Sequence, residues 1–336
     1  MNEKDFTYTI KSVERKNTMD VIKLADEIIN GKRIVRGDIT DFFITADLNS
    51  LCKGADRIRR HFCSDKVDLC SIINGKSGKC SENCRFCAQS SHNCTGVNEY
   101  SFLGTEEILK ECRHNEKRGV HRFSIVTAGR TLNETDFEKA VEAYTVLHEN
   151  TDMMLCGSHG FLTDEQFQRL RSAGVSRYHC NIETSRRYFP EICSTHTYDD
   201  KIACIKRAVN AGFEVCSGGI IGMGETWNDR IDMAVSLAEL GVRSIPLNAL
   251  MPIPGTPLEN LERLSEDDIL RTVTIFRYIV PEADIRLAAG RDLMKDCGKK
   301  AFLSGANATI TGDMLTTSGN DIAGDIKMLS DMGFQI

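Results

Sequence analysis

Short β-rich apolar runs alternate along the chain with longer stretches whose apolar residues recur at helical spacing. The runs 69–73, 122–127, 152–155, 177–182, 214–217, 244–249, 284–287 and 306–310 predict strands. Between and after them, helices are predicted near 105–118, 134–148, 163–173, 199–211, 226–240, 265–278, 291–303 and 321–333. Gly119, Gly174, Gly212 and Gly241 each follow a helical run and precede a strand, where a helix stop belongs. Thr163 with Gln166, and Ser265 with Asp268, have the spacing of N-terminal capping pairs. The first 65 or so residues differ: Thr18 to Ala25 carries apolar residues at helical spacing, and Asp38 and Thr40 offer helix starts.

Eight strand–helix units predict a parallel (β/α)8 barrel of the TIM type. A doubly wound sheet is the alternative that pattern alone leaves open. No Pro-, Gly- or Ser-rich linker and no low-complexity tract divides the chain. The expected organisation is a helical N-terminal segment, residues 1–65, packed on a barrel formed by residues 66–336. A barrel also predicts where chemistry sits, at or just after the C-terminal ends of the strands.

Composition narrows the class. Of 336 residues, 41% are hydrophobic and 27% charged, enough for a sizeable core and too apolar for disorder. Lys plus Arg is 42 and Asp plus Glu 48, a net charge of −6 that argues against a nucleic-acid partner. No apolar run approaches the ~20 residues of a membrane helix. The start, Met1-Asn2-Glu3-Lys4-Asp5, is charged and leads into no signal-peptide core, so a cytoplasmic protein is expected. Fourteen cysteines in such a chain point to a reducing interior. Cys52, Cys63, Cys70, Cys112, Cys204 and Cys297 are scattered without local pattern and read as small buried hydrophobes.

One group of cysteines is not scattered. Gly78-Lys79-Cys80-Ser81-Glu82-Asn83-Cys84-Arg85-Phe86-Cys87-Ala88-Gln89-Ser90 follows the first predicted strand with the spacing C-x3-C-x2-C. A structural zinc site wants four ligands, so zinc would need a distant fourth such as His92 or Cys94. Three thiolates on a [4Fe–4S] cluster instead leave one iron without a protein ligand, a place for a small molecule to bind.

This motif, with an aromatic before its last cysteine, resembles the radical S-adenosylmethionine (SAM) superfamily. Longer strings resemble the biotin synthase family within it. They are Cys87-Ala88-Gln89-Ser90-Ser91, Tyr178-His179-Cys180-Asn181-Ile182-Glu183-Thr184-Ser185, Pro246-Leu247-Asn248, Gly255-Thr256-Pro257-Leu258, Ile285-Arg286-Leu287-Ala288-Ala289-Gly290-Arg291 and Gly305-Ala306-Asn307. The glycine-rich 218–224 stretch belongs with them; it lacks the third glycine of a dinucleotide fingerprint. Its glycines read as letting backbone approach an adenosyl group or as making a turn.

The resemblance implies sulfur insertion into dethiobiotin, with hydrogens removed by radicals derived from SAM. Such C–H bonds lie beyond side-chain acid–base chemistry. By the same resemblance Cys80, Cys84 and Cys87 hold the [4Fe–4S] cluster. Phe86 lies near the adenine, and Gly219 and Ile220 belong to the SAM-binding wall. Asn181 and Glu183 contact substrate and the SAM ribose, and Asn248 meets the ureido ring. An auxiliary cluster, usually [2Fe–2S], supplies the sulfur; its ligands map to Cys156, Cys216, Arg286 and, in a departure, Ser124. A serine hydroxyl is a poorer iron ligand than a thiolate. Cys180 stands where the family has histidine, and strict alternation would turn it outward while Asn181 points in. The expectation is a [4Fe–5S]-type cluster held by Cys156, Cys180 and Cys216, as in variants of the family. Arg286 either ligates iron or hydrogen-bonds the cluster; Cys193 and Cys94 are weaker candidates. A flavodoxin or ferredoxin electron donor and a homodimer are further implications. Hydrogenase maturases and methylornithine synthase are alternatives of the same architecture, and a non-catalytic iron–sulfur protein is a more distant one. Lys206-Arg207 and Lys299-Lys300 read as solvated helix faces.

Overall fold

The computed structural model describes residues 19–312 and 321–336; the charged start at Met1 to Asp5, and Thr18, lie outside them. Nine strands form one sheet: β1 (Asp68–Lys76), β2 (Arg122–Thr127), β3 (Met154–Ser158), β4 (Val175–His179), β5 (Glu214–Cys216), β6 (Gly219–Ile221), β7 (Ser244–Ala249), β8 (Asp284–Leu287) and β9 (Ala308–Ile310). Every neighbouring pair is parallel. The order is β5-β4-β3-β2-β1-β9-β8-β7-β6, and β5 also pairs with β7, which closes the ring. Strands β5 and β6 are two halves of one stave, so the result is an eight-stave parallel barrel with helices outside.

The break in that stave has a steric cause. A Cβ on Gly218 would lie 2.0 Å from the Pro246 carbonyl oxygen, and one on Gly219 would lie 2.2 Å from that of Glu183. Only glycine lets backbone approach that closely. The 218–224 glycines therefore serve packing between neighbouring segments of the barrel rim. A three-residue strand holding a glycine carries almost no sequence signal, which is why β6 is absent from the pattern.

Other differences are local. Strand β3 is shifted toward Ser158, and β4 ends at His179, before Asn181. The helix expected over 291–303 is a 3-10 turn at Arg291–Leu293 and a short helix at Lys299–Phe302. Cys297 and Gly298 between them have φ of 54° and 95°, which no helix accommodates. A short helix, Phe42–Thr45, does start just after Thr40, whose carbonyl accepts the Phe43 N–H at 2.9 Å; Asp38 instead accepts the Val35 N–H, and the first helix, Val21–Ile29, is capped by Asp20. The capping boxes at Thr163/Gln166 and Ser265/Asp268 form as the sequence suggests.

The N-terminal helices, of which Leu48–Cys63 is the longest, rest on helix Glu266–Ile279 outside the barrel. Tyr278 at that contact is fully buried and donates to the Val21 carbonyl at 2.8 Å. The C-terminal helix, Ile322–Asp331, is tied down by a buried ion pair. Arg291 donates to both Asp325 carboxylate oxygens at 2.8 Å, each side chain being 3% exposed, and also to Thr309 Oγ1 at 3.0 Å.

Candidate functional site

A cavity of about 410 Å³ opens at the C-terminal ends of the strands, where a barrel places its chemistry. Cys80, Cys84, Cys87 and Phe86 line one side, from the loop after β1. The loop is fixed by its own hydrogen bonds. The Cys80 N–H donates to the Gln89 carbonyl at 3.0 Å, and that of Ser91 to Cys80 at 2.9 Å. Asn93 Nδ2 donates to the carbonyls of Cys84 and Cys87 at 3.2 and 2.8 Å. Burial, then the charge of Cys80, pushes Cys87 up to about 11. Three ionisable thiols so placed suit a cation centre that neutralises them. Cys94 is exposed, and His92 turns to the Ser81 carbonyl. Neither provides the fourth ligand of a zinc site.

Cys193 belongs to this side of the cavity rather than to the barrel interior. Its Sγ lies 3.8 Å from Cys84 Sγ and 3.3 Å from His196 Nδ1. The contact with Cys84 holds one proton between the thiols, lowering Cys193 to about 3 and raising Cys84. His196 is in turn hydrogen-bonded to the buried Glu82.

The opposite wall carries Asn181, Glu183, Ile220 and Asn248. Gly219 stays off the lining and instead meets Glu183 backbone to backbone. Glu183 has φ of +67°, a left-handed conformation that costs a non-glycine residue energy and is held by its bridge to β6. Burial raises its carboxyl, and Oε2 has no hydrogen-bond partner. Asn181 Oδ1 accepts the Gly218 N–H at 3.1 Å. Asn248 is fixed at both ends, donating to the Gly219 carbonyl and accepting from the Ala289 N–H, each at 3.2 Å. One N–H and one lone pair of its amide remain. Lys201, which the motifs did not single out, points its ammonium into the cavity 4.0 Å from Glu183 and 5.5 Å from the Phe161 ring. Burial opposes its charge, but Cys180 and Glu183 raise its pKa and keep it cationic.

Below lies the barrel interior, where a second set of thiols meets a second set of cations. Cys156 receives a hydrogen bond from Arg122 Nη1 at 3.7 Å and is in contact with the thiol of Cys70 and with His179. Burial alone would raise Cys156; the bonds from Cys70 and His179 overcome it and lower the thiol, while Cys70 is correspondingly raised. Cys216 accepts from Ser244 Oγ at 3.3 Å and faces Arg286 and Arg177. Beneath these, Asp68 is flanked by Arg122, Arg177 and Arg286 at 3.5, 3.3 and 3.3 Å. Burial works against its charge, but Arg286 first among these groups holds the carboxyl well below the usual range.

Two expectations are redrawn here. Alternation along β4 sends Arg177 and His179 inward and Tyr178 outward, against Phe167 and Phe213. Cys180, just past the end of β4, lines the cavity, and its thiol neighbours Cys204 on helix Tyr198–Asn210 rather than Cys156 or Cys216. Cys70, read from sequence as packing, faces the barrel axis. Of the other scattered cysteines, Cys112 and Cys204 are buried, Cys52 and Cys63 are half-buried, and Cys297 is exposed. Ser124 is fully buried, and its Oγ has no hydrogen-bond partner. His179 Nε2 likewise has none, whereas Arg286 Nη2 faces the Asp68 carboxylate at 3.3 Å. Orphaned donors around thiols suit a sulfide-bearing cluster, whose sulfur atoms accept hydrogen bonds. Arg286 Nη1 is occupied by the carbonyls of Asp68 and Thr309 at 3.0 Å.

His159 lies just outside this interior, its ring held by Tyr144 Oη at 2.9 Å and Thr127 Oγ1 at 3.0 Å. Burial pushes it down to about 3, against 6.5 for a free histidine. Between those values the unfolded chain binds a proton that the native chain refuses. The stability contributed by neutral His159 is therefore complete above about pH 6.5 and is lost as pH falls toward 3, by roughly 5 kcal/mol in all. Denaturant titrations of the chain and of His159→Gln over this range measure it. The difference in stability between the two must shrink with acidity; a difference independent of pH would refute the assignment.

Residues 76–237 match the radical SAM superfamily, and residues 246–335 match the biotin and thiamin synthesis associated domain. The chain is 62% identical to a biotin synthase of Clostridium beijerinckii over 94% of this chain and 99% of that one. It is 62% identical to a biotin synthase of Alkaliphilus metalliredigens over 95% and 100%. Among solved structures, methylornithine synthase superposes with a TM-score of 0.80 at 20% identity, covering 93% of this chain and 96% of that one. A maturase of the [FeFe]-hydrogenase superposes at 0.77 with 17% identity, over 94% and 75%. These two likenesses carry the fold alone.

Proposed function

The chain belongs to the biotin synthase family of radical SAM enzymes, and on that premise we propose how its own residues share the work of inserting sulfur into dethiobiotin. The observation that carries the proposal is a single cavity with the C-x3-C-x2-C loop on its wall and a separate thiol–arginine set beneath.

Cys80, Cys84 and Cys87 hold the [4Fe–4S] cluster, leaving one iron for SAM. When bound, the clusters and SAM supply an adenosyl radical and a sulfur atom, chemistry that no side chain provides. The residues bind, orient and exclude water. Glu183 sits where a carboxylate accepts from the ribose hydroxyls, supported by the fixed Asn181. Lys201 supplies the buried positive charge that the SAM carboxylate needs, beside Cys84. Phe86 and Ile220 give apolar surface for the adenine. Asn248, immobilised by Gly219 and Ala289, presents the remaining N–H and lone pair to the ureido group.

Cys156 and Cys216 anchor the auxiliary cluster, and Arg286, held by backbone carbonyls at Nη1 and by Asp68 at Nη2, places its positive charge beside the cluster thiolates. We leave Cys180 outside this set because its thiol, at the cavity wall, neighbours Cys204 rather than Cys156 or Cys216. A [4Fe–5S]-type cluster, with the extra sulfide as donor, remains the assignment. A flavodoxin or ferredoxin donor, a homodimer and a cytoplasmic setting complete the proposal. All fourteen cysteines are free, and no helix of the described residues is long and apolar enough to cross a membrane.

The test is anaerobic. Reconstituted protein with dithionite, SAM and dethiobiotin is expected to yield biotin by mass spectrometry. Formation of 5′-deoxyadenosine without biotin would reject the substrate while keeping the radical machinery.

A further inference from the structure

We propose that Cys70, on β1, is the third thiolate of the auxiliary cluster, replacing a ligand on β2 where the chain has Ser124. The assignment rests on the reading above and specifies its metal site.

Three observations converge. The first is strand parity. Asp68 meets Arg122, Arg177 and Arg286 inside the barrel, and Ile72 lines the cavity above. Cys70 lies between them in sequence, so alternation aims its side chain at the same interior. The second is contact. The Cys70 and Cys156 thiols are close enough inside the barrel to shift one another's ionisation although β2 separates their strands, and Arg286 faces both Cys70 and Cys216. Cys70 is thus joined to both accepted ligands by a direct neighbour or a shared cation. The third is the state of Ser124. It pairs with Cys156 on β3 and with Ile72 on β1, two residues above Cys70. Its hydroxyl is buried and has no hydrogen-bond partner.

Donor chemistry decides between the two positions. A neutral hydroxyl is a hard, weakly acidic ligand, whereas a thiolate is the soft donor that iron–sulfur clusters take. One step down and one strand across, the chain exchanges the first for the second. Ser124 then keeps a different use, as a donor to a sulfide. The coordinating set becomes Cys70 on β1, Cys156 on β3 and Cys216 on β5, all opening inward from alternate staves. This exchange also asks nothing of Cys180, whose thiol neighbours Cys204 at the cavity wall.

Iron and sulfide per chain, with Mössbauer spectra, separate the possibilities after anaerobic reconstitution of wild type, Cys70→Ser and Cys180→Ser. Wild type and Cys180→Ser are expected to hold about eight irons, and Cys70→Ser about four. Cys70→Ser should still cleave SAM to 5′-deoxyadenosine, which shows that it folds and keeps its other cluster. A Cys70→Ser protein with wild-type iron and spectrum overturns the assignment, as does selective iron loss in Cys180→Ser. Wild type that makes biotin while Cys70→Ser keeps both clusters would reject Cys70 alone. Wild type with a single cluster would reject the proposed function as well.

Discussion

Cys87→Ala is expected to abolish SAM cleavage. Only three thiolates hold the proposed cluster, so removing one leaves an iron with no anchor. Losing even an outer partner of a metal ligand costs about 10–100-fold; losing a ligand should exceed the upper end. Cys87 is the informative choice because its neighbourhood offers no substitute. Cys84, by contrast, has Cys193 within 3.8 Å, a thiol that stands ready to take its place. The measurement is 5′-deoxyadenosine formed per chain with dithionite, alongside iron content. Cys193→Ala serves as the comparison and should retain both. Comparable activity in Cys87→Ala and wild type would remove the C-x3-C-x2-C loop from the mechanism.

The second large effect concerns stability. Asp325→Asn leaves the Arg291 guanidinium buried with no carboxylate, at a place where both side chains are 3% exposed. Breaking one side of such a pair costs about 3–5 kcal/mol, most of it the penalty of an uncompensated charge. The loss should show as a lower denaturant midpoint with an unchanged slope. Arg291→Met combined with Asp325→Leu should regain much of it, since neither charge is then buried alone. A loss below about 1 kcal/mol for Asp325→Asn would mean that water reaches the pair and that the C-terminal helix is held chiefly by its apolar face.

Most of the barrel was legible because its signals are local. Strands β2, β7 and β8 fall at the residues where their apolar runs lie, and the capping pairs mark helix starts at 164 and 266. What escaped is non-local. The division of one stave into β5 and β6 follows from contacts of Gly218 and Gly219 with Pro246 and Glu183, which sequence neighbours cannot announce. Cys70 carries no motif; its meaning comes from Cys156, 86 positions later and two strands away. Cys180 posed the opposite problem. Its place in a recognised string suggests a ligand, alternation turns its thiol toward Cys204, and the end of β4 at His179 leaves the residue at the cavity wall. Lys201 and His179 face the site from a helix and a strand whose patterns read as ordinary structure.

The three arginines around Asp68 imply a rule of traffic. They fill the lower end of the barrel with a knot of paired charges, and the cavity above opens at the mouth framed by the Cys80–Cys84–Cys87 loop and Asn248. On the proposed function, sulfur that leaves with product and sulfur that replaces it pass through the same opening as SAM and dethiobiotin, so that replenishment and turnover are consecutive occupations of one corridor.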